Sequence, residues 1–174
     1  MKYGKRLILR YSIAVIFAIV GIKIIYFIFS PLTFYSSYYS IYYLSPKLIG
    51  STSFIINNIK LNFIQACTAA SAYLLLVLLT LTTDIKLKKA LKVIFAGSLL
   101  ILIANLIRID ILIIALVKYS SNLFNTLHLF FWKVLSTIYV VILWVFLTKL
   151  FKIKEIPIYS DFKKVLNFYK KLKN

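Results

Sequence analysis

The sequence predicts an all-α integral membrane protein with four transmembrane helices, a short extracytoplasmic β-hairpin and a C-terminal amphipathic helix. Of its 174 residues, 62% are hydrophobic and only 15% are charged. A soluble domain averages about 45–50% apolar residues and about 25% charged residues. Several uninterrupted apolar stretches approach or exceed the roughly 20 residues that cross a bilayer. The chain carries 22 Lys and Arg against 4 Asp and Glu, and most of them flank the apolar stretches.

This composition narrows the class of protein. There is more apolar sequence than a soluble core could bury, and we therefore expect residues 1–174 to form a single membrane domain. The net charge of +18 could indicate nucleic-acid binding, but lysines beside apolar runs fit anionic headgroups better, and no nucleic-acid partner is expected. The single cysteine, Cys67, excludes an intramolecular disulfide.

The four predicted spans are residues 11–29, 63–83, 93–117 and 127–148. Lys and Arg near the ends of spans are enriched on the cytoplasmic side. Sixteen of them precede the first span, separate the second from the third, or follow the fourth, and only Lys47, Lys60 and Lys118 lie in the opposite loops. The chain is therefore expected to be a multi-pass plasma-membrane protein with both termini in the cytoplasm. The first span exceeds the 7–15 residues of a signal-peptide core, so we expect a retained helix.

The segments outside the spans have recognisable patterns. "TFYSSYYSIYYLSP" is rich in Tyr and predicts a helix or loop at the membrane interface. "STSFIINNIKLNFI" predicts a β-hairpin with Asn57 and Asn58 in its turn, because Asn tolerates positive φ. In the cytoplasmic basic tail, 149–174, apolar residues recur with helical spacing from Asp161, which predicts a basic amphipathic helix on the inner leaflet.

Arg108 is the most informative polar residue within the predicted spans. An Arg near the centre of a transmembrane helix costs about 2.5–3.5 kcal/mol on insertion scales, so such residues mark function more often than not. Asn105 shares its helical face, whereas Asp110 points to the opposite side. Lys92 marks the inner boundary, and the helical rise places Arg108 about 24 Å above it, in the outer quarter of the bilayer.

Cys67 and His128 are predicted to lie in the same outer layer as Arg108. Cys67 is four residues into the second span, and His128, the only histidine, opens the fourth. A free thiol is only a few per cent ionised at neutral pH, and a neighbouring imidazole or guanidinium favours the thiolate. Cys and His form a nucleophile–base pair in known enzymes, and an arginine can hold an oxyanion or carboxylate. The presence of these three residues in one layer therefore predicts nucleophilic catalysis at the outer surface of the membrane.

Each of these residues also has a structural interpretation. Cys67 could be a small packing residue, His128 an interfacial ring bonded to water or backbone, and Arg108 a snorkelling residue paired with a headgroup or Asp110. Thr68 and Ser71 are candidate supporting residues for the site, although small residues also serve helix packing, and Lys133 is interpreted as structural.

The order of these residues resembles the exosortase/archaeosortase family. "ACTAAS" at 66–71 is similar to the family's signature around its cysteine, "NLIRI" at 105–109 is similar to its asparagine–arginine element, and His128 stands where the family's histidine begins a later helix. The resemblance covers a catalytic core of about 49–148, as in a minimal archaeosortase-like member. Ala69 departs from the pattern, because the family commonly has glycine there.

This resemblance implies a membrane-embedded cysteine transpeptidase or peptidase that needs no cofactor or metal. Such enzymes recognise secreted proteins by a C-terminal motif, transmembrane helix and basic cluster, and transfer the cleaved protein to a membrane acceptor, here expected to be lipid. It implies Cys67 as the nucleophile that forms a thioester, His128 as general acid and base, and Arg108 as the stabiliser of charge. Asn105 would orient Arg108.

Two other functions remain open from the sequence. A small membrane scaffold or assembly protein would use Arg108 only structurally. A transport subunit would line an anion path with Arg108 and Lys133, but the spans show neither an inverted repeat nor paired broken helices.

Overall fold

The computed structural model describes residues 3–131, 136–155, 157 and 159–173. Within them the chain is mostly helical. The helices are α1 (Tyr3–Ser40), α2 (Ala70–Thr82), α3 (Leu87–Lys118), α4 (Ser121–Phe130), α5 (Ser136–Leu150) and α6 (Tyr159–Lys173). Two 3-10 turns, Tyr42–Leu44 and Gln65–Thr68, flank a small antiparallel sheet.

Helix α1 is longer than the first predicted span, which ends at residue 29. It continues through Pro31 into the Tyr- and Ser-rich segment and ends at Ser40. At 38 residues it is about 57 Å long, almost twice the thickness of a hydrocarbon core. Its last turns bury Phe34 and Ser37, and this tertiary packing extends the helix where composition indicated only an interfacial helix or loop.

The predicted hairpin is confirmed. Strands β2 (Ser53–Ile56) and β3 (Ile59–Asn62) pair antiparallel, with Ile56 opposite Ile59. The turn residues Asn57 and Asn58 both have positive φ, 48° and 64°, as a type I′ turn requires. A third strand, β1 (Lys47–Leu48), which the sequence did not predict, pairs with the other edge of β2.

The sheet covers one end of the helices. Phe54 and Ile56 of β2 are almost completely buried, because period-two alternation turns both toward the same face. They pack in an outer cluster with residues from the end of α1 and the last third of α3: Phe34, Ile41, Ile109 and Ile113.

The second predicted span, 63–83, is only partly a helix. Gln65–Thr68 form a 3-10 turn, Ala69 adopts the left-handed conformation with φ 55° and ψ 35°, and α2 begins at Ala70. The expectation that Cys67 lies four residues into this helix is wrong, because the residue precedes it. Helix α2 has 13 residues, which corresponds to about 20 Å.

A second core cluster joins α1, α2, α3 and α5. Tyr73 and Leu76 of α2 pack there with Val93 and Ile101 of α3 and with Leu147 of α5. A Cβ at Gly97 would approach Leu76 Cδ2 to 2.6 Å, so the absence of a side chain lets α2 and α3 pack closely.

The fourth predicted span, 127–148, corresponds to parts of two helices. Its start falls inside α4, which begins at Ser121, and its end falls inside α5. Ser120 caps α4, its Oγ accepting a 3.3 Å hydrogen bond from the backbone N–H of Leu123. Residues 132–135 lie outside the described part of the chain.

The tail helix is confirmed, and ion pairs hold its start against α1. Asp161 accepts hydrogen bonds from Arg10 Nη2 at 2.8 Å and from the Tyr11 hydroxyl at 3.1 Å. Phe162, Val165 and Leu166 of α6 are exposed, which is typical of an amphipathic helix whose apolar face lies on a membrane surface.

Among the described residues, two helical segments are long and apolar enough to cross a membrane: Gly4–Ser40 and Leu87–Lys118. Ala70–Thr82 and Ile138–Leu150 are shorter apolar helices. Many large apolar side chains of α1 are exposed, among them Ile16, Ile19 and Phe27 at 63%, 73% and 84%. Such a surface supports association with a membrane.

Candidate active site

A cavity of about 490 Å³ lies between α1, α2, α3 and α5, and the residue that follows α4 also lines it. Its walls are mainly apolar or aromatic, and its polar lining includes Gln65, Ser71, Asn105 and Arg108. An apolar cavity of this size with a few convergent polar groups is the usual form of a small-molecule or peptide-segment site.

Asn105 connects α3 to the cysteine segment. Its side-chain Nδ2 donates a 2.8 Å hydrogen bond to the backbone carbonyl of Cys67. The residue is buried, and its Oδ1 has no hydrogen-bond partner among the described residues. A buried amide oxygen without a hydrogen-bond partner lowers the stability of the fold. A hydrogen-bond donor on a ligand in the cavity would satisfy this oxygen.

Arg108 lies one turn after Asn105 and also lines the cavity. The Nε is buried and makes no hydrogen bond within the described part of the chain, and no ion pair joins Arg108 to a described carboxylate. Asp110 instead accepts a 2.8 Å hydrogen bond from Ser40 Oγ. Arg108 is therefore free to bind an anionic group.

Cys67 is a free, half-buried cysteine in the 3-10 turn. Its neighbours Ala66 and Ala69 line the cavity, whereas its side chain packs against the outer cluster beneath the sheet. Its backbone N–H donates a 2.9 Å hydrogen bond to the Ile64 carbonyl. The turn is thus fixed at both backbone groups of the cysteine.

Thr68 and Ser71 occupy different positions around this turn. Thr68 is buried, with its Oγ1 3.0 Å from Ser30 Oγ of α1. Ser71 is in the first turn of α2 and lines the cavity. Cys67 precedes α2, so Ser71 and Cys67 are not on the same helix.

His128 is exposed on α4, and its ring stacks on Phe124 with centroids 5.7 Å apart. Within the described residues it makes no hydrogen bond or ion pair with Cys67 or Arg108. Phe131, three residues later, lines the cavity. The structure therefore brings Asn105 to the backbone of Cys67 and places Arg108 in the same cavity as Asn105. The Cys67 side chain packs against the outer cluster, and His128 is on a helix whose C-terminal end borders the cavity.

Several residues of the site were not predicted. Tyr26 and Tyr139 line the cavity, and the Tyr139 hydroxyl donates a 2.8 Å hydrogen bond to the Leu100 carbonyl. Ser30 binds Thr68 from α1, and only its position before Pro31 distinguished it in the sequence. Lys133, interpreted as structural from the sequence, lies outside the described residues.

Comparisons with protein-family models, with curated proteins and with solved structures find no match to this chain.

Proposed function

We propose that this chain is a membrane-embedded cysteine peptidase and transpeptidase of the kind that the exosortase/archaeosortase resemblance implies. It would cleave the C-terminal sorting signal of secreted proteins and transfer them to a lipid acceptor. One observation carries the proposal. In the cavity wall, next to the segment that holds the only cysteine, the buried Nε of Arg108 has no hydrogen-bond partner among the described residues.

The first step is acylation of Cys67. The Cys67 thiolate attacks the scissile carbonyl, and the π electrons of that bond move to oxygen, forming a tetrahedral oxyanion. Arg108 donates hydrogen bonds to this oxyanion, which develops only in the transition state and intermediate. The C–N bond then breaks, its electron pair leaves with nitrogen, and His128 supplies the proton that makes the leaving group a neutral amine. A thioester on Cys67 remains.

The second step transfers the acyl group. A lipid-borne amine or hydroxyl attacks the thioester, giving its proton to His128, and the C–S bond breaks to regenerate the Cys67 thiolate. Mainly apolar cavity walls favour a lipid-borne nucleophile over water, because they exclude water from the acyl group. His128 lies three residues before the cavity-lining Phe131, and residues at this spacing share a helical face.

The proposed topology has four spans, cytoplasmic termini and an outward-facing site in the plasma membrane. Arg10 contacts the carbonyl oxygens of Leu81 and Thr82, and Ser30 contacts Thr68. The α1 segment from Arg10 to Ser30 is about 30 Å long, which equals a hydrocarbon core. Arg10 then lies at the inner boundary and the cysteine turn near the outer one.

The enzymatic proposal is tested by co-expression with a candidate substrate that ends in a motif, an apolar helix and a basic cluster. The wild type is expected to process this substrate and to form an acyl adduct that hydroxylamine releases. Cys67→Ala is expected to abolish both, with the protein amount unchanged. Processing by Cys67→Ala would exclude the proposed chemistry.

The role of His128 needs a matched control. Asn125 is also exposed on α4, so Asn125→Ala should leave processing unchanged, whereas His128→Ala should lower acylation at least about 100-fold. Equal effects of the two variants would remove His128 from the mechanism.

Topology has a separate test that does not depend on activity. A membrane-impermeant maleimide should label Cys67 only from outside the cell. Labelling only from the cytoplasmic side would reverse the proposed orientation.

A further inference from the structure

A second cavity, of about 680 Å³, lies at the end of the molecule where α2 gives way to α3. Its lining comes from the α2–α3 connection, the start of α3 and the segment after α5. Six of the lining residues are lysines: Lys86, Lys88, Lys89, Lys92, Lys152 and Lys154.

The two acidic residues in this lining are already paired. Asp84 lies 3.3 Å from Arg10 Nη1 and 3.1 Å from Lys164 Nζ. Glu155 lies 3.2 Å from the same Lys164. None of the six lysines of the cavity forms an ion pair within the part of the chain that the structure describes. The cavity therefore carries a large uncompensated positive charge and fits a polyvalent or multiply contacted anion.

An apolar surface is continuous with these lysines. Leu87, Leu91 and Phe95 of α3 are 74%, 57% and 74% exposed, and their four-residue spacing places them in one row along the helix. Lys88 and Lys92 stand next to this row, each one residue after a member of it. A ligand that reaches both features needs an anionic head and long apolar tails.

We propose that this lysine cavity binds the phosphate headgroup of an anionic phospholipid, whose acyl chains lie along the Leu87, Leu91 and Phe95 row. A soluble phosphate would use only the charged part of this surface. A zwitterionic lipid would use the row but would gain little from the lysines, because its own ammonium group opposes them. The proposal does not depend on the cysteine chemistry.

The test uses the full-length protein in zwitterionic detergent, with bound lipid measured by native mass spectrometry. Phosphatidylglycerol is the anionic probe and phosphatidylcholine the zwitterionic one. Each lysine near an anionic lipid contributes about fivefold in affinity. Lys88→Gln/Lys92→Gln/Lys152→Gln is therefore expected to weaken phosphatidylglycerol retention by roughly 100-fold, to the level of phosphatidylcholine.

A matched control removes the same charge elsewhere. Lys47, Lys60 and Lys118 are exposed and lie outside the cavity lining, so changing all three to Gln should leave the lipid preference intact. Equal loss in both triple variants would overturn the proposal in favour of nonspecific charge attraction. Displacement of phosphatidylglycerol by millimolar inorganic phosphate would overturn the lipid assignment. If the cavity variant does not fold, Lys88→Gln alone must weaken retention about fivefold, and an unchanged value would overturn the proposal.

Discussion

The side-chain amide of Asn105 is hydrogen-bonded, at 2.8 Å, to the backbone carbonyl of Cys67, a residue 38 positions earlier in the chain. Asn105 and Arg108 are one turn apart on α3 and face the same cavity. This bond therefore fixes the height of the cysteine turn relative to the guanidinium. Through Asn105, the bond connects the cysteine turn to the helix that carries Arg108, the residue to which the proposed chemistry assigns oxyanion stabilisation.

Asn105→Leu tests this link. Leucine has a similar volume but cannot donate to the Cys67 carbonyl, so we expect a loss of about 1–3 kcal/mol in the free energy of unfolding. We also expect faster alkylation of Cys67, because the turn loses its anchor to α3. Thermal unfolding in detergent and the maleimide reaction rate measure the two effects. Asn122→Leu, at an exposed site on α4, should change stability by less than about 0.5 kcal/mol, and an equal loss there would contradict the prediction.

Ala69 is strained by its left-handed conformation, with φ 55°. Ala69→Gly removes the Cβ that makes this conformation costly, so we expect a gain of about 1 kcal/mol in unfolding free energy. Ala72, three residues later within α2, provides the control, since Ala72→Gly should cost about 1 kcal/mol. Denaturation of both variants in the same detergent measures the difference. Destabilisation by both would show that the strain at Ala69 is not relieved by glycine.

The 3-10 turn before Ala69 could not be predicted from the sequence. Alanine has the highest helix propensity, and the apolar run 63–83 gives no period that separates a helix from a 3-10 turn followed by a helix. The turn exists because Asn105 and Ser30 hold Cys67 and Thr68 from other helices. By contrast, the hairpin at Asn57 and Asn58 is encoded locally by residues that tolerate positive φ, and it was predicted correctly.

The position of His128 relative to Cys67 and Arg108 could not be predicted from the sequence either. Charge counting and helical rise estimate how deep a residue lies in a membrane, but they contain no information about its lateral position. The layer predicted for Cys67, Arg108 and His128 therefore concerns only their depth, and it does not predict which of the three are in contact. The contact of Asn105 with Cys67 supplies the lateral position of α3, whereas His128 stacks on Phe124 of its own helix.

Arg10 of α1 joins the end of α2 to the start of α6. It contacts Asp84, Asp161 and two carbonyl groups at the end of α2, and its side chain is only 14% exposed. Arg10→Met leaves these groups without their shared cation, and breaking a buried pair costs about 3 kcal/mol. Trypsin cleavage of the tail should accelerate as α6 loses its attachment, and denaturation measures the stability loss.

Arg6 provides the control for this prediction. It lies 4.0 Å from Asp84, and its side chain is 57% exposed, so solvent screens the pair. Arg6→Met should cost less than about 0.5 kcal/mol. If the two variants lose the same stability and are cleaved at the same rate, the ends of the helices are held by general charge and not by the geometry of Arg10.

Replacing Arg108 tests whether the residue is catalytic or structural, because its buried Nε has no hydrogen-bond partner in the part of the chain that the structure describes. If a residue is retained for packing, its replacement should lower the free energy of unfolding. A desolvated charge that is retained for catalysis often destabilises the native protein, so its replacement by an apolar residue can raise the free energy of unfolding. We therefore expect Arg108→Met to leave unfolding free energy unchanged or raise it by about 1–2 kcal/mol, and to lower substrate processing at least about 100-fold. Arg108→Lys keeps the positive charge but loses the planar guanidinium group, so it should retain intermediate activity. Denaturation in detergent and the processed fraction of a co-expressed substrate give the two readings. A parallel loss of stability and processing in Arg108→Met would assign Arg108 to the scaffold, because activity would then follow folding and not the oxyanion.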